Sequence, residues 1–178
     1  MQKGLKNQEI MKHLQMLLKT FPKDYISEAE FRKRFEKTLM YPTDDVLLYK
    51  DQFDSLISVA LKSDKEIFLL AEDYEGSFDN GELFVLSDLS DYEEYAKLNL
   101  STLNVLFSSS EEWIVLIEES LEGGIAVLAG SHDFVRQFKS IYSKGESDFR
   151  NYVEFCIKEY QTRKVPLTQL TEIIKLMN

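Results

Sequence analysis

Ser131, His132 and Asp133 stand consecutively behind Gly130, and they are the residue types of a nucleophilic relay. Such a relay needs a base within hydrogen-bond reach of the hydroxyl and a carboxylate that orients the base from behind. Three consecutive side chains at a helix start point in different directions, and no G-x-S-x-G turn surrounds Ser131. The pattern instead makes Ser131 a helix N-cap and Asp133 a first-turn carboxylate that complements the helix dipole. The corner formed by Trp113, Ser131, His132 and Asp133 is therefore the second-ranked site, a pocket for a small ligand or for divalent-cation-dependent catalysis.

The other chemical motifs fail on spacing. Gly123, Gly124 and Gly130 do not form G-x-G-x-x-G, because an apolar strand separates the pair from the last glycine. The pair reads as a hairpin turn with positive φ, and Gly130 as the bend from strand into helix. A calcium loop starting at Asp73 would need Gly at position 78 and Glu at position 84, and both hold Phe. His13 and His132 are the only histidines, and neither belongs to an H-x-x-x-H pair. Cys156 is the only cysteine, so neither an intramolecular disulfide nor a cysteine-based zinc site can form. Adjacent carboxylates such as Glu72/Asp73 and Glu118/Glu119 face opposite ways on a strand, which argues against a paired general acid and base. No catalytic residue, metal or cofactor is assigned on these patterns.

Charge layout is the more informative feature. The net charge is -10, yet residues 66–135 hold 16 Asp or Glu against the single Lys97. That block carries -15 and the remainder, with 15 acidic and 20 basic residues, carries +5. Such a block repels phosphates, which excludes nucleic acid as its ligand, and attracts a basic protein or a cation. Tyr74, Phe78, Tyr92, Tyr95 and Trp113 lie among the carboxylates. Aromatic anchors within a charged surface suit a protein-binding face. The candidate contact residues are Glu72, Asp73, Glu75, Asp79, Asp91, Glu93, Glu94, Trp113, Glu118, Glu119 and Glu122.

The elements that must carry these residues follow from periodicity. Residues 7–20 place Ile10, Met11, Leu14, Leu17 and Leu18 on one helical stripe, ended by Pro22. Ser27 and Glu30 form a capping box that predicts a helix to Leu39, with Phe31 and Phe35 on its apolar side and a break at Pro42. Residues 46–49 read as a short strand and 51–63 as a helix with Phe53, Leu56, Ile57 and Ala60 on one face. Residues 66–71 and 82–87 are strand-like, with Asn80-Gly81 favouring a type I′ turn between them. Ser90 and Glu93 predict another capped helix, while residues 99–110 fit neither period. Two more strands, 113–119 and 125–129, precede the Ser131-capped helix, a helix from Ser147, and a last one from Pro166.

The predicted fold is α+β: a small antiparallel or mixed sheet of four to five strands, packed by N-terminal and C-terminal helices. One domain spans 1–178, mainly helical over 1–63, strand-rich and acidic over 64–130, and helical over 131–178. The longest apolar runs, 67–71 and 125–129, fall far short of the ~18 residues that cross a membrane. The chain reads as a soluble cytoplasmic protein without membrane attachment, and it carries no signal for oligomeric state. In general character it is similar to antitoxin and toxin-immunity proteins, small acidic chains that neutralise basic nucleases, although it holds no family motif. The leading expectation is a non-enzymatic module whose acidic face binds a basic protein.

Overall fold

Uninterrupted apolar runs become strands here because both faces of the sheet are covered, so either side-chain parity can be hydrophobic. The computed structural model describes residues 1–3, 8–20, 29–32, 35–73, 75–100, 103–120 and 123–163. The strands are β1 (Gln2–Lys3), β2 (Leu18–Thr20), β3 (Glu30–Phe31), β4 (Glu36–Thr43), β5 (Ile67–Ala71), β6 (Glu82–Leu86), β7 (Leu103–Ser108), β8 (Trp113–Ser120) and β9 (Gly123–Gly130). The helices are α1 (Gln8–Leu17), α2 (Lys50–Ala60), α3 (Tyr92–Tyr95), α4 (His132–Ile141) and α5 (Gly145–Arg163).

The α+β class is what the sequence predicts, but the sheet is larger than four to five strands. Seven strands, the two-residue β1 among them, run in the order β1-β6-β5-β7-β8-β9-β4, and β2 and β3 pair separately. Every neighbouring pair is antiparallel. Phe68, Leu70, Val105, Phe107, Ile114, Leu116, Ile125 and Val127 face one core, covered by Leu14 and Leu17 of α1 and by Tyr152 and Cys156 of α5. The intervening residues Ile67, Leu69, Leu106, Trp113, Val115, Ile117, Ala126 and Leu128 face the other. There they meet Phe53, Leu56 and Ile57 of α2, Tyr95 of α3, and Phe134 and Phe138 of α4. Each fully buried side chain of this kind contributes about 1.5–3 kcal/mol.

The largest departure from the sequence pattern lies at 27–39. Ser27 is outside the described residues, and so are Pro22 and the segment from Pro166. Glu30–Phe31 is strand, and Glu36–Thr43 pairs along β9 from Glu36↔Gly130 to Thr43↔Gly124. Helix propensities differ by only tenths of a kcal/mol per residue. A ladder along the otherwise open edge of β9 outweighs them, and Pro42 is tolerable because β4 is itself an edge strand. Phe31 and Phe35 still meet edge-to-face, with centroids 6.2 Å apart.

Residues 44–47 form a turn instead of a strand, and the ambiguous stretch after Asn99 supplies the buried strand β7. The expected cap at Ser90 is displaced to Asp88, whose side chain accepts the Ser90 amide at the start of the turn Leu89–Asp91. Among the described residues between β5 and β6 the left-handed one is Gly76, at φ 75°, and Gly81 is not. Among the described residues no helix is long and apolar enough to cross a membrane.

An acidic cleft as the candidate functional site

Strands β4, β5 and β8 finish at one end of the sheet, where β7 and β9 begin, so the loops at that end come together. The turn after β4 is closed by two backbone hydrogen bonds, from the Asp44 amide to the Leu47 carbonyl (2.8 Å) and from the Leu47 amide to the Asp44 carbonyl (2.9 Å). Asp45 sits in the left-handed region at φ 52°, a conformation that Asp tolerates better than most residues. The Thr43 hydroxyl donates to the Asp45 carbonyl (3.0 Å), and Asn104 of β7 donates its side-chain amide to the Val46 carbonyl (3.2 Å). Gly124 faces this turn without a Cβ, because one placed there would lie 1.5 Å from the Asp45 oxygen. Close approach, and not the positive φ expected from the Gly-Gly pair, is what requires glycine at that position.

The β5–β6 loop forms the opposite wall. Asp73 Oδ1 accepts the amides of Glu75 and Ser77, both at 2.9 Å, and the Gly76 amide returns to the Asp73 carbonyl (3.0 Å). The preceding Glu72 amide is anchored on the Leu103 carbonyl (3.2 Å). Between the walls lies a cleft of about 470 Å³. Asp44, Asp45, Glu72, Asp73 and Glu119 supply five carboxylates, while Val46, Leu47, Leu98 and Leu100 supply apolar surface. No Lys, Arg or His is among the described residues lining it. Burial, and next the Asp44 carboxylate, push the Tyr92 phenol of α3 above its ordinary range against an opposing pull from Lys50. Among the described residues no three His, Cys, Asp or Glu side chains are grouped to hold a metal ion.

The candidate residues read from the sequence divide into groups. Glu72, Asp73 and Glu119 line the cleft. Glu75 and Asp79 are exposed on the same β5–β6 loop, and Glu118, half-buried, precedes Glu119 on β8. Glu93 and Glu94 are exposed on α3, while Glu122 lies outside the described residues. Asp91 is buried and committed to structure. Its carboxylate accepts the Ser87 and Asp88 amides at 2.8 and 3.1 Å and pairs with the Met1 ammonium, which Glu94 also approaches at 3.3 Å. Burial pushes the Asp91 carboxyl up, but the ammonium and the two amides more than offset this and hold it below the usual range. The Asp91 hydrogen bond raises the Met1 amine in turn.

Trp113 offers no surface to a partner, being 0% exposed. Its ring stacks on Phe134 with centroids 5.2 Å apart, and its indole nitrogen donates to the buried Asp64 (3.1 Å). An aromatic residue at the start of a strand whose parity faces the core is buried whatever charges flank it in sequence. The second-ranked corner is not drawn together either. The Ser131 hydroxyl accepts the Phe134 amide (3.4 Å) as an N-cap, His132 pairs with Glu36, and Asp133 pairs with Arg136 (2.7 Å). These three side chains turn to three different partners.

Asp44 and Asp45 lie outside the acidic block of residues 66–135, just past the break at Pro42, and are not among the candidate contact residues. The available signal was turn chemistry, since consecutive Asp residues after Pro favour a tight turn with one left-handed residue. Comparison of the chain with protein-family models, with curated proteins and with solved structures yields no match.

Proposed function

We propose that the protein is a non-enzymatic binding module that acts in the cytoplasm and presents an acidic face to a basic protein partner. The cleft between Asp44 and Glu119 lies at its centre. The observation that carries this reading is the cleft itself, with five carboxylates beside apolar surface and no cation among its described lining residues. Glu75 and Asp79 are exposed on the β5–β6 loop that forms one of its walls, and Glu93 and Glu94 are exposed on α3. Charges of this kind steer encounter, and a desolvated cationic side chain seated among the carboxylates supplies the lasting contact. The antitoxin- and immunity-like character of the sequence is in keeping with such a use.

The test compares the wild type with a variant carrying Asp44→Asn, Glu72→Gln and Glu119→Gln. Both are immobilised and used to capture proteins from cytoplasmic extract at low salt. The reading expects one basic protein in near-stoichiometric amount on the wild type, released by salt, and its loss on the variant. Equal capture by both, with unchanged salt dependence, sinks it.

A further inference from the structure

We draw no further inference here: the strongest candidate, the acidic cleft between the β4–α2 turn and the β5–β6 loop, belongs to the site already described, and nothing beyond its own carboxylates points to a particular ligand.

Discussion

The carbonyl oxygen of Asp45 occupies the space that a side chain on Gly124 would fill, 1.5 Å from the position of its Cβ. One wall of the acidic cleft therefore rests on a bare stretch of β9 backbone. Gly124→Ala must push the Asp44–Leu47 turn outward or bend β9 away from β4. We expect a loss of about 1–3 kcal/mol, the usual range for overpacking, read as a lower midpoint in urea unfolding. A variant as stable as the wild type would mean that the turn does not sit where the structure has it.

Asp91 gives the stability a dependence on pH at both ends of the scale. Its carboxyl is depressed in the fold, so its contribution is present above its unfolded value of 3.8 and lost as pH falls through the folded value. The Met1 amine is raised, so its contribution is complete below 8.0 and lost as pH rises through the folded value. Asp91→Asn should cost about 1.5–3 kcal/mol at neutral pH, in the range for hydrogen bonds to charged groups. It should also flatten both limbs when melting temperature is followed against pH. A variant that keeps both limbs would assign them to other groups.

Trp113 is the only tryptophan, and its burial makes it a direct reporter. Native emission should be blue-shifted and resistant to acrylamide, moving to the red only on unfolding. Trp113→Phe would remove the donor to Asp64 and leave a buried acceptor dependent on Ser63, whose hydroxyl is 3.4 Å away. A cost of about 1–3 kcal/mol follows from that lost hydrogen bond. Ready quenching in the native protein would contradict the placement of the ring.

Tyr95 links the helix that leads into the cleft with the start of α2, because its hydroxyl accepts the Leu48 amide at 2.7 Å. Tyr95→Phe keeps the ring in contact with Phe53 and removes only that acceptor. The expected loss is about 1–3 kcal/mol, accompanied by faster hydrogen exchange at the Leu48 amide. Unchanged protection at Leu48 would show that the bond does not form.

The cleft should carry a stability cost, since like charges gathered in a concave surface repel one another. Asp44→Asn together with Glu119→Gln should hold or raise the melting temperature at low salt by an amount worth roughly 0.2–1 kcal/mol, the scale of exposed charge interactions. The gain should shrink at high salt as screening shortens the reach of the charges. A loss of stability on neutralisation would instead give these carboxylates a structural role.

Several features were legible because their causes are local. Ser131 caps α4 because a hydroxyl one residue before the helix reaches the Phe134 amide whatever the rest of the chain does. Phe53, Leu56 and Ile57 recur at helical spacing and are buried on α2. The apolar runs 67–71 and 125–129 lie within strands, and their unbroken hydrophobicity reflects a sheet covered on both faces.

What the sequence by itself determined is thus the acidity of the middle segment and the elements whose signals lie within a few residues. Tertiary structure decided the rest. Glu36–Thr43 is a strand because β9 offers it a ladder from nearly 90 residues away in the chain, a partner that no local pattern reveals. Tertiary structure likewise divided the acidic residues, sending Asp91 to an internal ion pair and Glu72, Asp73 and Glu119 to the cleft. Asp44 and Asp45 joined that cleft only because antiparallel pairing brings the ends of β4, β5 and β8 to the same side of the sheet. Local sequence sets conformational preference over a few residues, whereas the position of a carboxylate relative to another depends on strand register and order across the whole sheet.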